Sequence, residues 1–327
     1  MRVLSGIQPS GKMHIGNFLG AMRQHVALAD QGHECFYFIA NYHSLTTIQD
    51  AERLAGLTFD VALDYLAMGL DPNKALLFRQ SDVPEVTELA WILATVTGMG
   101  LLERAHSYKD KLNHGIRPSV GLFTYPLLMA ADILIYRSNI VPVGRDQVQH
   151  IEMTQDMAGY FNNTYREVFT RPEAKLNEAM IIPGTDGQKM SKSYGNTIEL
   201  FEPAKQARKK IMSIKTDSTP VEDPKDPDTC NAFALLKHFA PADETKAWAE
   251  RYRAGGVGYG EVKKRLAELF EATFGPARER REALAARPDE VEDILRAAGA
   301  KARAVASEVM DDVRAACGIT AKQGRPA

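Results

Sequence analysis

The sequence predicts an α/β protein: a doubly wound parallel sheet followed by an α-helical C-terminal region. Short apolar runs at Val3-Leu4, Cys35–Ala40, Ala75–Phe78 and Ile140–Val143 alternate with helix-like segments. Strands separated by crossover helices form parallel sheets, and runs that are apolar throughout are buried on both faces. From Cys230 onward the patterning is helical. Ligands are therefore expected at the carboxyl ends of the strands.

Composition limits the possible classes of protein. With 327 residues, two domains, or one large domain with an appendage, are expected. The net charge is −2, so any contact with nucleic acid must come from local basic patches. Three widely spaced cysteines, without a CxxC pair, argue against a zinc or iron–sulfur site and against a disulfide framework. No apolar run reaches about 18 residues, so we expect a cytoplasmic protein with no membrane partner.

The first loop, from Ser5 to Asn17, predicts a phosphate cradle. A strand, a glycine-rich turn and a helix N-terminus occur in that order, and free N–H groups favour an anion there. A P-loop would need Ser or Thr after Lys12, but Met13 follows it. His14 and Asn17 could instead donate to phosphate oxygens, although a histidine at a helix start is often only a cap.

The next elements complete the alternating pattern. Helices are predicted over Phe18–Asp30, over Ala51–Met68 with Asp50 as N-cap, and over Val86–Lys111. His43 lies just past the second strand, where a pocket role and a hydrogen-bonded loop histidine are equally consistent with the pattern. A less regular basic stretch follows the third helix and separates it from the next apolar segment.

That apolar segment, Tyr125–Tyr136, predicts a buried helix with Pro126 in its first turn. Asp132 lies in its middle. An isolated buried carboxylate is costly, so Asp132 must be paired or hydrogen-bonded.

Tyr125, Met129 and Asp132 share one face of this helix, because they are spaced by four and three residues. The face offers an aromatic wall, a polarizable filler and one strong acceptor. This favours a ligand pocket. The alternative is a structural carboxylate paired with Arg137 or Arg145.

Polar residues also follow the strand Ile140–Val143. Asp146 and Gln147 lie at its carboxyl end, where they could meet a ribose hydroxyl or an amino group. Asp146 could alternatively cap the helix that is predicted to run from here to about Tyr165.

A second loop carries the sequence Lys189-Met190-Ser191-Lys192-Ser193 after Gly184 and Gly187. Two lysines among small hydroxyl residues on a glycine-containing segment predict a cationic arm that closes on a polyphosphate. The alternative is a solvated surface loop.

The C-terminal region begins with a basic run between Pro203 and Thr216, without an acidic residue. Such a run can be a solvated helix face or a phosphate-binding footprint. Helices are predicted at Cys230–Phe239, Ala242–Arg253, Glu261–Phe274 and Ala277–Ala286, with a last amphipathic helix from Pro288. The apolar stripe of that last helix predicts that it packs on a folded neighbour.

The two loops together make the pattern specific. HIGN after the first strand and KMSKS after the last resemble class I aminoacyl-tRNA synthetases, and among them the bacterial tryptophanyl-tRNA synthetases. The stretches that carry this resemblance are Ser5–Gly11, Tyr125–Leu134, Val141–Asp156, Lys189–Ser193 and Gly256–Glu268. The resemblance therefore covers nearly the whole chain.

The resemblance implies a Rossmann-like, HUP-type catalytic domain and an activity. Such enzymes activate L-tryptophan with ATP and Mg²⁺ to tryptophanyl-adenylate and pyrophosphate, and then transfer tryptophan to its tRNA. It implies three regions: a catalytic domain over residues 1–200, a helical tRNA-binding domain over 201–287, and a C-terminal helix over 288–327 that packs back on the catalytic domain. A homodimer is implied as well, with no DNA partner.

Site residues follow from the same resemblance. The catalytic residues would be His14, Asn17, Lys111, Lys189 and Lys192. ATP would be bound by Gln8, Ser10, Gly16, Asn17, Gly144, Asp146, Met190, Ser191, Lys192 and Ser193. Tryptophan would be bound by His43, Tyr125, Met129, Asp132, Val141, Val143 and Gln147, with Asp132 accepting the indole N–H. No protein ligand to metal is expected, because Mg²⁺ would be held through the ATP phosphates.

Three other readings remain open. Tyrosyl-tRNA synthetases share both loops, but the neighbourhood of Asp132 disfavours them. Small adenylyltransferases share the HIGH-like start, yet they give no reason for the helical C-terminal region. A non-catalytic RNA-binding paralogue is expected to have lost His14, Lys189 or Lys192, and all three are present.

Overall fold

A computed structural model describes residues 1–105, 118–144, 147–176 and 182–320. Within these ranges, five strands form one parallel sheet in the order β3-β2-β1-β4-β5. The strands are β1 Arg2–Ile7, β2 Glu34–Ile39, β3 Ala75–Arg79, β4 Ile140–Val143 and β5 Glu173–Leu176. The predicted doubly wound sheet is confirmed. The edge strand β5 was not predicted, because it is mostly exposed and has no apolar run.

Helices cover both faces of this sheet. In chain order they are α1 Ile15–Asn17, a π-helical turn Phe18–Met22, α2 Arg23–Asp30, α3 Asn41–Ser44, α4 Ala51–Ala67, a 3₁₀ turn Gln80–Asp82, α5 Glu85–Val96, α6 Met99–Glu103, α7 Val120–Leu134, α8 Val148–Thr164, a 3₁₀ turn Lys192–Tyr194, α9 Ala204–Met212, α10 Asn231–Leu236, α11 Ala242–Ala254, α12 Tyr259–Ala285 and α13 Pro288–Cys317. The described part of the chain contains no helix that is both long and apolar enough to cross a membrane.

Two apolar clusters lie on the two sides of the sheet. Val3 belongs to one cluster and its neighbour Leu4 to the other, because successive side chains of a strand point to opposite faces. The Val3 cluster also contains Phe233 and Phe270 from the C-terminal helices. The N-terminal sheet and the C-terminal helices thus share buried apolar surface, and the boundaries at residues 200 and 287 stay a prediction.

Two predicted helices differ from the structure near glycine or proline. The helix predicted over Val86–Lys111 ends at Val96, and α6 starts again after Gly98. Conversely, the break predicted after Phe274 is absent, because α12 continues through Gly275 and Pro276. Packing supplies the reason in the second case: Phe274 and Ala277, on either side of the proline, are fully buried.

The apolar helix also begins earlier than predicted. Helix α7 starts at Val120, where the Ser119 side chain accepts a hydrogen bond from the Leu122 N–H at 3.1 Å. Pro126 therefore lies in the helix interior instead of the first turn, and it is buried. Asp132 keeps its predicted place in the middle of the apolar face.

The last helix, α13, packs against β3 and α5. Val291, Leu295 and Val309 of its apolar stripe are buried. Three ion pairs fix it along the sheet: Arg79 with Glu292 at 2.7 Å, Arg303 with Glu85 at 2.7 Å and Arg314 with Glu88 at 2.6 Å. The C-terminal helix is thus attached to the strand and helix that flank the turn at Gln80.

Candidate active site

A cavity of about 460 Å³ opens at the carboxyl ends of β1 and β4. The sheet order reverses between these two strands, which is where ligands of doubly wound folds bind. The cavity brings together nine of the sequence-predicted residues: Gln8, His43, Tyr125, Met129, Asp132, Val141, Val143, Gly144 and Gln147. Four stretches of the chain that are distant in sequence therefore meet at one pocket, as the predicted topology requires.

Asp132 lies on this cavity and is 1% exposed. Its Oδ1 and Oδ2 accept hydrogen bonds from Gln80 Nε2 at 2.8 and 2.9 Å, and its Oδ2 lies 2.8 Å from His43 Nε2. Burial raises the pKa of Asp132, while the hydrogen bonds from His43 and Gln80 act against that rise. The site thus contains one buried acceptor whose position is fixed by two side chains.

The sequence left open whether Asp132 belongs to a ligand pocket or forms a structural ion pair with Arg137 or Arg145. The structure excludes the pair with Arg137. Arg137 pairs with Asp312 of α13 at 2.5 Å and not with Asp132. Arg145 lies outside the described residues. Asp132 is held by His43, which lines the cavity, and by Gln80.

Gln80 was missed by the sequence analysis. It directly follows β3, at the same edge of the sheet as His43 after β2, so the rule that selected His43 could have selected Gln80 as well. Its amide oxygen accepts from the Tyr42 and His43 N–H groups at 3.0 and 3.4 Å.

An aromatic wall completes this side of the cavity. The Tyr125 hydroxyl is hydrogen-bonded to His150 Nε2, and the Tyr125 ring meets His43 edge to face at 6.5 Å. His150, a second residue missed by the sequence analysis, comes from α8. Val141 and Val143 add apolar surface, and together with the Asp132 acceptor this surface suits a flat aromatic ligand that carries an N–H donor.

The first loop continues from Gln8 to a short helix. Gly11 has φ +113°, a conformation that favours glycine. His14 caps α1: its Nδ1 accepts from the Gly16 N–H at 3.1 Å, while Asn17 Oδ1 accepts from the His14 N–H at 3.1 Å. His14 is therefore the N-cap of α1, as one of the two interpretations of the sequence predicts.

This cap also fixes the chemistry of the imidazole. Burial, and secondarily Lys192, lowers the pKa of His14 to about 4, so the ring is neutral near pH 7. Because Nδ1 accepts, the proton lies on Nε2. His14 can act as a hydrogen-bond donor without a formal charge. A Cβ at Gly16 would lie 2.9 Å from His14 Cε1, so a glycine is required beside this ring.

The second loop is held at its base by main-chain and amide bonds. Met190 is buried, and its N–H donates to the Ile182 carbonyl at 2.8 Å. Asn196, which the sequence analysis missed, accepts from the Ser191 N–H at 2.8 Å and donates to the Lys189 carbonyl at 3.1 Å. The Lys189 side chain is exposed. The base of the loop is ordered while its cationic group faces solvent.

The two loops touch each other. Lys192 Nζ donates to the Gly11 carbonyl at 2.9 Å and to Ser10 Oγ at 3.3 Å. The main chain joins them as well, since the Ile15 N–H donates to the Ile198 carbonyl and the Leu200 N–H to the Met13 carbonyl, both at 3.0 Å. Desolvation lowers the pKa of Lys192, and the nearby Asp64 and Glu199 carboxylates oppose that effect.

Two predicted site residues, Lys111 and Asp146, lie outside the described residues. Ser193 lies beside Ser191, with their hydroxyl oxygens 2.8 Å apart. In the described ranges, no group of three or more His, Cys, Asp or Glu side chains could hold a metal ion. The arrangement combines a cradle for an anion with a rigid, half-apolar pocket next to it.

Known proteins are similar to this chain in sequence and fold. Residues 1–275 match the family described as tRNA synthetases class I (W and Y). The tryptophan–tRNA ligase of Rhodopirellula baltica is 55% identical over 320 residues, which cover 98% of this chain and 100% of that protein. The ligase of Fusobacterium nucleatum is 51% identical, covering 97% of this chain and 98% of that protein.

A solved structure gives the same result. Tryptophanyl-tRNA synthetase from Campylobacter jejuni, complexed with ADP and tryptophan, is 49% identical and superposes with a TM-score of 0.91 over 97% of this chain and 100% of that chain. The family match, the two relatives and this structure agree with one another. The chain belongs to the class I tRNA synthetase family of the tryptophan and tyrosine enzymes.

Proposed function

We propose that this protein is a tryptophan–tRNA ligase that forms tryptophanyl-adenylate and pyrophosphate from L-tryptophan and ATP, and then transfers tryptophan to the tRNA for tryptophan. The observation that carries the choice of amino acid is the buried Asp132 acceptor beside the aromatic and apolar side chains of Tyr125, Met129 and the β4 valines. Full-length similarity to tryptophan–tRNA ligases supports the same reaction.

In this mechanism the tryptophan carboxylate attacks the α-phosphorus in line, and pyrophosphate leaves with the bond electrons. No side chain forms a covalent bond, so catalysis consists of positioning and of neutralising the developing charge. Lys192 would leave its contact with Gly11 and donate to the leaving pyrophosphate, assisted by Lys189 and Lys111. His14 Nε2–H and Asn17 would orient ATP phosphates, with Gln8, Ser10, Gly16, Gly144, Asp146, Met190, Ser191 and Ser193 as further ATP contacts.

On the amino-acid side, Asp132 would accept the indole N–H while Tyr125 and Met129 pack on the ring. His43, Val141 and Val143 complete the wall, and Gln147 would meet the ammonium group. A buried acceptor left without its donor is costly, and discrimination built this way reaches about 10⁴ or more, so phenylalanine is rejected without editing.

Mg²⁺ would enter with ATP and neutralise phosphate charge when bound. The donor set around the two loops consists of lysines, hydroxyls, one neutral histidine and main-chain N–H groups, which fits binding of the metal through phosphate oxygens. We assign no side chain as a ligand to the metal.

The C-terminal helices would bind tRNA, with residues 201–287 as the tRNA-binding domain, 1–200 as the catalytic domain and 288–327 as the helix packed on it. Helix α9 carries Lys205, Arg208 and Lys209 on its exposed side. Lys210 of the same run pairs with Glu202 at 2.9 Å, so it contributes less free charge to such a footprint.

A homodimer is part of this proposal. Trp91, Met99 and Val120 are 73, 61 and 79% exposed, and they lie on or next to the mutually packed helices α5, α6 and α7. Large apolar side chains on one set of helices are typical of a surface that a second copy covers. The three free cysteines are consistent with a reducing, cytoplasmic location.

One experiment tests the function. Exchange of labelled pyrophosphate into ATP is measured with tryptophan, tyrosine, phenylalanine and no amino acid, followed by charging of the tRNA for tryptophan. We expect exchange with tryptophan alone. Exchange with tyrosine would indicate a tyrosyl-tRNA synthetase, exchange without any amino acid another adenylyl transfer, and no exchange a non-catalytic tRNA-binding paralogue.

A further inference from the structure

Gln80 links the 3₁₀ turn after β3 to Asp132, which lines the cavity. It is 1% exposed, and each polar atom of its side chain has a partner. The amide oxygen accepts from the main-chain N–H groups of Tyr42 and His43, while Nε2 contacts both oxygens of Asp132. Main-chain N–H groups can only donate, so the amide can face them only with its oxygen. The NH₂ group must then face the carboxylate.

This orientation limits what Asp132 can do. A carboxylate accepts about four hydrogen bonds, and here Gln80 uses one site on each oxygen while His43 Nε2 takes a further site on Oδ2. Among the residues that the structure describes, these partners leave the acceptor capacity of Asp132 mainly on Oδ1. A ligand N–H can satisfy that site without displacing either partner, which is the condition for a pre-organised acceptor.

Helix α13 holds the 3₁₀ turn that carries Gln80. Arg79 Nη1 and Nη2 bind the Glu292 carboxylate at 2.9 and 2.7 Å, and Arg79 Nε donates to Asp82 at 3.1 Å. A Cβ at Gly299 of α13 would lie 2.7 Å from Asp82 Cβ, so the helix backbone lies directly against the turn. Bidentate pairing gives this contact directional rigidity as well as charge.

We propose that Gln80 is a positioning residue for tryptophan selection: it holds the Asp132 carboxylate with its free acceptor site available to the indole N–H, and the Arg79–Glu292 pair holds Gln80 in place. Gln80 itself does not touch the substrate. The inference rests on the proposed function and deepens it, because it assigns part of the amino-acid specificity to a contact made by the C-terminal helix.

The test compares two substrates that differ in the indole N–H. Tryptophan and 3-benzothienylalanine have nearly the same shape, but sulfur replaces the N–H group in the second. In Gln80→Met, which removes the amide and keeps the length of the chain, kcat/KM for tryptophan in pyrophosphate exchange should fall about tenfold or more, while that for the analogue changes little. Gln155→Met on α8 is the matched control, since it also loses one amide hydrogen bond, to the Pro172 carbonyl.

The result that contradicts the proposal is an unchanged preference, or an equal fall for both substrates, because a purely structural role would affect both alike. A wild-type protein inactive with tryptophan would instead overturn the proposed function, and this inference with it. Should Gln80→Met fail to fold, Glu292→Gln provides the second variant, with a preference for tryptophan expected to fall by roughly threefold. Glu290→Gln, which breaks the neighbouring pair with Arg287, is its control, and equal preferences in these two variants would refute the proposal.

Discussion

The Asp132 pocket and the two loops, which we propose to bind the amino acid and ATP, are neighbours built in opposite ways. On the pocket side, Asp132 and Gln80 are buried, and hydrogen bonds with each other and with further protein groups fix their positions. In the loops, Lys189 and Lys192 are exposed, and Lys192 donates hydrogen bonds to a carbonyl and a hydroxyl. A site that must reject similar amino acids benefits from rigidity, whereas groups that stabilise a transition state must gain contacts during the reaction.

The largest effect should come from the rigid side. Asp132→Asn replaces one acceptor oxygen by a donor, so the preference for tryptophan over phenylalanine should fall by about 10³-fold or more, with the KM for ATP nearly unchanged. Competition assays with tryptophan, tyrosine and phenylalanine measure this. An unchanged preference would mean that Asp132 does not determine the choice of amino acid. The proposed difference between the rigid pocket and the loops would then fail as well.

On the loop side, Lys192→Ala should lower kcat of adenylate formation by about 10²–10³-fold, since its contact with pyrophosphate strengthens in the transition state. The KM for tryptophan should stay close to the wild-type value. Single-turnover adenylate formation is the measurement, and Lys301→Ala, at an exposed lysine of α13, is the control. A change confined to KM would mean that the loop is a passive binding surface.

A smaller effect is expected where the loop meets the first helix. Gly16→Ala would place a Cβ 2.9 Å from the His14 ring, and the resulting shift should raise the KM for ATP about tenfold. Steady-state kinetics with varied ATP check this. Gly56→Ala on α4, where nothing lies within 4 Å of the added carbon, should leave kinetics unchanged and be neutral or slightly stabilising.

The sequence predicted the sheet and most of the pocket because both follow from the order of strands. Residues placed by a strand end, such as His43 and Val143, could be found from that order. Asp132 was recognisable because a carboxylate in an apolar helix needs an explanation. These residues could be identified because their neighbours in the sequence already indicate their place in the fold.

What could not be predicted depends on contacts between distant segments. Gln80 and Asn196 are ordinary polar residues until the fold places them against Asp132 and the second loop. Pro126 and Pro276 read as helix boundaries, but buried neighbours outweigh the local cost of proline, which is about 3 kcal/mol. Local helix propensity therefore gave wrong helix boundaries at positions where tertiary packing determines whether the helix continues.

The main-chain bonds between Met13 and Leu200, and between Ile15 and Ile198, have a consequence for evolution and engineering. The two signature motifs lie far apart in the sequence, yet main-chain hydrogen bonds join the residues in and next to them, and these bonds do not depend on side-chain functional groups. In a chimera that takes one motif from a distant relative, we expect the main-chain hydrogen bonds between the two segments to be misaligned. We therefore expect that a successful graft has to carry both segments.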